Sequence, residues 1–103
     1  MVSMNVLNKL FDKRHMLPEE YNELKKLSRE EFIELIQTSF NSIMESRMKN
    51  VPISIDKLSR KVSIKDVGVL KKALDFVSNY AIPCWEKCNG DMECLEKCIS
   101  GEK

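Results

Sequence analysis

Four cysteines stand within fifteen residues near the C-terminal end of this 103-residue sequence, and they constrain its fold more than any other feature. They form two Cys-x3-Cys pairs: Cys84 with Cys88, and Cys94 with Cys98. Residues four apart lie on one face of a helix, so each pair predicts a short helix with both sulfurs on one side. Pro83 suits the start of the first helix, Asn89-Gly90 suits its end, and Asp91 can cap the second. The segment therefore predicts a tight helical hairpin over residues 83–103.

The hairpin geometry indicates how the cysteines pair. In an antiparallel hairpin the outer cysteines face each other and so do the inner ones, which predicts the disulfides Cys84-Cys98 and Cys88-Cys94. The same four cysteines could instead be thiolate ligands of a zinc ion or an iron-sulfur cluster. Reduced or redox-active thiols are a third alternative, although no Cys-x-x-Cys motif is present to lower a thiol pKa. We expect structural disulfides, no metal and no cofactor.

The two motifs resemble the twin Cys-x3-Cys helical hairpins of small mitochondrial intermembrane-space proteins. The resemblance covers residues 84–98 and implies a hairpin of similar geometry. Those proteins have a longer segment between their pairs, whereas five residues intervene here. Their chaperone and assembly functions are therefore not expected of this chain.

Apolar residues recur at three- and four-residue steps along most of the remaining sequence, which is typical of amphipathic helices. Ser28 and Glu31 form a capping box that marks the start of a long helix. The predicted helices cover about residues 4–16 (capped by Ser3), 18–27, 29–48, 56–62 and 64–81, the last capped by Ser63 and ended at Pro83. No segment alternates apolar and polar residues for long enough to predict a strand.

These patterns predict an all-α fold, a small helical bundle of five or six helices. We expect residues 1–82 to form the bundle and residues 83–103 to form the hairpin, packed on the same core as a single domain. The predicted core consists of residues on the two long helices: Phe32, Leu35, Ile36, Phe40, Ile43, Val67, Leu70, Leu74 and Val77.

Residues 55–74 look like a helix-turn-helix with its turn near Ser63. Basic residues are frequent in this region and predict possible nucleic-acid contacts: Lys57, Arg60, Lys61, Lys65, Lys71 and Lys72. The register argues against the motif, because it requires Val69 and residue 72 to face inward and residue 72 is lysine. A solvated helix surface explains the basic run better than nucleic-acid binding does.

Charge and residue content narrow the functions expected of this chain. Lys and Arg number 17 against 16 Asp and Glu, so no strong overall field attracts nucleic acid or an anionic membrane. His15 is the only histidine, and no phosphate-binding glycine loop is present.

We expect a non-enzymatic interaction or assembly module that binds a protein partner or forms a homodimer, with nucleic-acid binding as the alternative. Neither a membrane nor a small-molecule substrate is inferred, and the absence of a recognisable signal or membrane-spanning segment predicts an intracellular, soluble protein.

Overall fold

The computed structural model describes residues 4–99, so the predicted cap Ser3 and the last predicted hairpin residues, 100–103, lie outside the described residues. The α-helices are α1 (Met4–Asp12), α2 (Asn22–Lys25), α3 (Arg29–Lys49), α4 (Ile55–Lys61), α5 (Val67–Phe76), α6 (Ile82–Cys88) and α7 (Met92–Ile99). Two 3-10 turns, Arg14–Met16 and Glu19–Tyr21, precede α2, and a π turn, Val77–Ala81, joins α5 to α6.

The α5 helix, the π turn and α6 form one continuous rod, since the residues at both junctions keep right-handed helical geometry. Counted this way, residues 4–99 contain six helical rods and no strand. The prediction of an all-α bundle of five or six helices is therefore confirmed.

The start of α3 follows the sequence signal closely. The Ser28 hydroxyl accepts a hydrogen bond from the Glu31 amide at 3.2 Å, and the Glu31 carboxylate accepts one from the Ser28 amide at 3.0 Å. The capping box thus satisfies two amides that a helix start leaves without partners. At its other end α3 stops at Asn50, whose φ of 54° is left-handed. The predicted first helix is too long, because α1 ends at Asp12 and a 3-10 turn follows.

The predicted helix over 64–81 is wrong at both ends. Its cap is Asp66 and not Ser63, because the Asp66 carboxylate accepts hydrogen bonds from the amides of Gly68 and Val69 at 2.9 and 3.3 Å. At the other end the rod continues through Pro83 to Cys88, so the predicted boundary between residues 82 and 83 falls inside it. Pro83 lacks an N–H and would crowd the carbonyl one turn back, and the π turn just before it provides a wider turn there.

The buried face of α5 differs from the predicted one. Val67 was predicted to be buried, but it is the first residue of the helix and 50% exposed, and Leu74 is only partly buried. The buried stripe instead contains residues that the prediction omitted together with two that it included: Val69, Leu70, Ala73, Phe76 and Val77. The five predicted core residues of α3 are all buried, so the core lies between α3 and the α5 rod.

The C-terminal hairpin is closed by two nested disulfides. Cys84 is bonded to Cys98 with a Cα–Cα distance of 5.7 Å, and Cys88 to Cys94 with a distance of 5.5 Å. The turn uses left-handed geometry at Asn89 and Gly90, and the Asp91 carboxylate caps α7 by accepting from the amides of residues 93 and 94. Leu95 and Ile99 on α7 are buried. The hairpin therefore adds apolar side chains to the bundle core.

Candidate interaction site

The six basic residues predicted as nucleic-acid contacts differ in their exposure and in their hydrogen bonds. The Lys65 ammonium forms hydrogen bonds within the protein, since it donates to the Val62 carbonyl at 2.8 Å and to the Ser59 carbonyl. It thereby satisfies carbonyls at the C-terminal end of α4. Arg60 is exposed on α4 and Lys72 is half-buried on α5. The helix-turn-helix motif requires residues 69 and 72 to face inward. Val69 is buried as the motif requires, but residue 72 is a half-buried lysine and not a buried apolar side chain.

Lys57 and Lys61 lie together on the side of α4 that faces the end of α3. They line a shallow depression with Glu45 and Ile53. The pKa of Glu45 is lowered, first by its hydrogen bond and ion pair with Lys49 and then by the charges of Lys61 and Lys57. The positive charges of both lysines therefore lie close enough to Glu45 on α3 to stabilise its carboxylate.

The sixth basic residue, Lys71, lies on a larger open groove with a volume of about 410 Å³. The groove lies between α3, the segment 51–55 and the α5 rod. It is lined by four apolar and four polar side chains: Ile43, Ile53, Ile55, Leu74, Lys71, Asp75, Ser78 and Asn79. We call it the isoleucine groove. A void between α1, α3 and α7 is far smaller, about 10 Å³, which is close to the space of a single water molecule.

Apolar side chains are exposed at the isoleucine groove and next to it. Ile53 is 37% exposed, and neighbouring Val51 is 49% exposed. Val67 precedes Lys71 by four residues and Leu74 by seven, so these side chains share one face of α5. Exposed apolar residues that lie near one groove are more informative than isolated ones.

The wall formed by segment 51–54 is attached to α3. The Val51 amide donates to the Ser46 carbonyl at 3.1 Å, and the Ser46 hydroxyl donates to the Val51 carbonyl. At the other end of the segment, the Ser54 hydroxyl caps α4 by accepting from the Lys57 amide at 3.3 Å. Hydrogen bonds at both ends therefore hold Ile53 in place, and the groove exists before any ligand binds.

The acidic residue of the groove is bonded within the protein. Asp75 accepts a hydrogen bond of 2.6 Å from the Tyr21 hydroxyl and one of 2.7 Å from the Asn79 amide nitrogen. The Tyr21 ring is buried and packs edge-on against Phe76 and Tyr80, with centroid distances of 5.3 and 5.4 Å. Burial and then the Asp75 carboxylate raise the pKa of Tyr21 far above its ordinary value.

This pKa shift predicts a loss of stability in alkali. Above pH ~10 the unfolded Tyr21 phenol ionises while the folded one keeps its proton, so the free energy of unfolding falls as pH rises. The Tyr21→Phe variant should lose about 1 to 3 kcal/mol at pH 7, because a hydrogen bond to a carboxylate is removed. The deficit relative to the native chain should shrink between pH 9.5 and 11, as measured by urea denaturation.

The matched control is Tyr80→Phe. The Tyr80 hydroxyl donates to Glu20 at 3.2 Å in an exposed position, and this bond raises the pKa of Tyr80. Its removal should change stability by less than the Tyr21 substitution, because solvent replaces an exposed hydrogen bond at little cost. Parallel pH profiles for the native chain and Tyr21→Phe would contradict the assignment.

All four cysteine sulfurs form disulfides in the structure, so none of them is a thiolate ligand. Across residues 4–99 no group of three or more His, Cys, Asp or Glu side chains is arranged to hold a metal ion. Within the same range each helix is too short or too polar to cross a membrane.

Sequence reasoning missed the isoleucine groove, although it singled out Lys71 on its rim. The signal available in the sequence was the apolar content of segment 51–55. Three comparisons with known proteins found no match to this chain: no protein-family model, no curated protein and no solved structure matches it.

Proposed function

We propose that this protein is a non-enzymatic interaction module that binds a helix of a protein partner in the isoleucine groove. The observation that carries the proposal is the apolar part of the groove lining, where Ile53 is exposed and Leu74 is partly buried, next to the half-exposed Val67 on α5. Binding a partner would remove this apolar surface from water, which is the main driving force of protein association.

The shape of the groove supports a helical ligand. The rod residues that line the groove, from Lys71 to Asn79, span about 12 Å, which matches about two turns of a bound helix. A helix that binds in a groove contacts it through apolar residues at i, i+3, i+4 and i+7. The isoleucines of α3, the 51–54 segment and α4 form the opposite wall against which such a stripe would pack.

The polar residues of the groove support binding and not catalysis. Asp75 is the acid of the groove, and each of its carboxylate oxygens already accepts a hydrogen bond from Tyr21 or Asn79. His15, the single histidine, is exposed in the 3-10 turn before α2 and does not line the groove. The hydrogen bonds that hold segment 51–54 also favour binding, since a preformed site costs less entropy to occupy.

A displayed library of helical peptides tests the proposal. The peptides would be about 20 residues long and randomised on one face, and the native chain would be the target. Peptides selected for binding should shift the methyl NMR signals of Ile43, Ile53 and Ile55. Ile53→Glu should weaken their binding at least tenfold, about 1.4 kcal/mol, because it places a charge against the apolar stripe.

Met4→Glu is the matched control. Met4 is an exposed apolar residue, 52% accessible, on α1, which does not line the groove. The same charge introduced there should leave the affinity of the selected peptides unchanged. Selected peptides that bind native chain and Ile53→Glu equally well, or that shift signals only outside the groove, would contradict the proposed function.

A further inference from the structure

The charges around the isoleucine groove indicate which kind of helix would bind there. Lys71 stands on the α5 wall, and within residues 4–99 it forms no hydrogen bond or ion pair. Beyond the opposite wall, Lys57 and Lys61 line the neighbouring depression, which shares Ile53 with the groove. Lysines therefore flank the apolar surface on both sides of Ile53.

The nearby acids cancel these charges only in part. Asp75 keeps its negative charge, because its partners Tyr21 and Asn79 are neutral, and it therefore offsets one lysine. Glu45 is neutralised by an ion pair of 3.0 Å with Lys49. The lowered pKa of Glu45 agrees with an excess of lysines around it. Three lysines, Lys57, Lys61 and Lys71, therefore stand against the single carboxylate of Asp75, and the net charge on the rim is positive.

We propose that the bound helix carries Asp or Glu side chains along both edges of its apolar stripe, where they would face Lys71 on one side and Lys57 and Lys61 on the other. This inference rests on the proposed function. Complementary charge at the rim of an interface mainly raises the association rate and selects the partner, while the apolar centre provides most of the affinity. The binding of an acid-flanked helix should accordingly weaken with salt, since the rim is exposed to solvent.

The arrangement fits such a helix better than duplex DNA. A DNA-binding surface places its lysines along one face to follow the phosphate backbone. Here Lys65 is bonded to the carbonyls of Ser59 and Val62 at the C-terminal end of α4. Lys57 and Lys71 are separated by the apolar side chain of Ile53. An amphipathic acidic helix would use both the apolar floor and the charged rim.

Three probes test the inference on the native chain at about 50 and 200 mM salt by fluorescence anisotropy. The first is a 20-residue helical peptide with a leucine stripe flanked by glutamates, and the second has the same stripe flanked by lysines. The third is a random-sequence DNA duplex. The glutamate peptide should bind at least tenfold more tightly than the lysine peptide at the lower salt, and this ratio should shrink at the higher salt.

Lys71→Glu should reduce the ratio between the two peptides at least threefold. The matched control is Lys87→Glu, because Lys87 is also exposed and lies about 24 Å further along the same rod. The control should keep the ratio of the native chain. A ratio that falls equally in both variants would overturn the assignment of Lys71 to the binding rim.

The remaining outcomes separate the two proposals. If both peptides bind equally well and Ile53→Glu weakens both, the charge inference is wrong while the groove still binds helices. If neither peptide binds at millimolar concentration, the proposed function and this inference both fail. If the duplex binds with a steep salt dependence and the glutamate peptide does not bind, a nucleic-acid function replaces both.

Discussion

Replacing Leu70 with alanine is expected to lower the free energy of unfolding by about 2 to 5 kcal/mol, the range for removing a large apolar side chain from a packed core. Leu70 is fully buried on α5 where this helix packs against α3. Phe40 is buried on the α3 side, and Phe40→Ala should cost about 3 to 5 kcal/mol. A domain of this size is stable by only about 5 to 15 kcal/mol, so either change should lower the urea midpoint strongly.

Val67→Ala is the matched control for Leu70→Ala, since it removes an apolar side chain from the same helix. Val67 is exposed at the start of α5, so its replacement should change stability by no more than about 0.5 kcal/mol. Similar losses at Leu70 and Val67 would show that the buried face of α5 is not the one described. A near-neutral effect at both Leu70 and Phe40 would contradict the core as a whole.

Removing the disulfides should have the second large effect. The Cys84-Cys98 bond joins residues 14 apart and the Cys88-Cys94 bond residues 6 apart. From the entropy of loop closure, loss of the outer bond should cost about 3 kcal/mol and loss of the inner bond about 2 kcal/mol. The paired alanine replacements Cys84→Ala with Cys98→Ala, and Cys88→Ala with Cys94→Ala, would be compared with the native chain by urea denaturation.

Intact mass under denaturing, non-reducing conditions is the control for these variants. The native chain should be about 4 Da lighter than its fully reduced form, and each paired variant should differ from its own reduced form by about 2 Da. If the inner pair proves more stabilising than the outer pair, the loop-length argument is wrong for this hairpin. A fully reduced native chain that binds stoichiometric zinc would contradict the disulfide structure itself.

Features set by local chemistry were predictable from the sequence. The capping box at Ser28 needs only two residues three apart, and the cysteine hairpin needs only the four-residue spacing and a turn at Asn89-Gly90. Both depend on neighbours in the chain, for which residue type and spacing carry the relevant physics. The all-α fold and the core face of α3 followed from periodicity in the same way.

Features that depend on distant contacts were not predictable. The first residue of α5 depends on whether Ser63 or Asp66 caps the helix, and both residues are acceptable caps. In the structure Ser63 instead donates from its amide and its hydroxyl to Glu34, 29 residues away, which also lowers the pKa of that carboxyl. The isoleucine groove likewise combines residues from three segments, and no single-segment pattern reveals it.

The π turn before Pro83 determines the phase of the two ends of the α5 rod relative to each other. A π turn holds about one residue more than an α turn, so every side chain beyond it is rotated by roughly 100° relative to an unbroken helix. The rod can thus direct Leu74 towards the isoleucine groove while Cys84 and Cys88 face α7. Deleting one residue from 77–81 would restore α-helical phase and turn the cysteines away from their partners. The extra residue of the π turn therefore lets a single helix contribute to both the groove and the covalent hairpin.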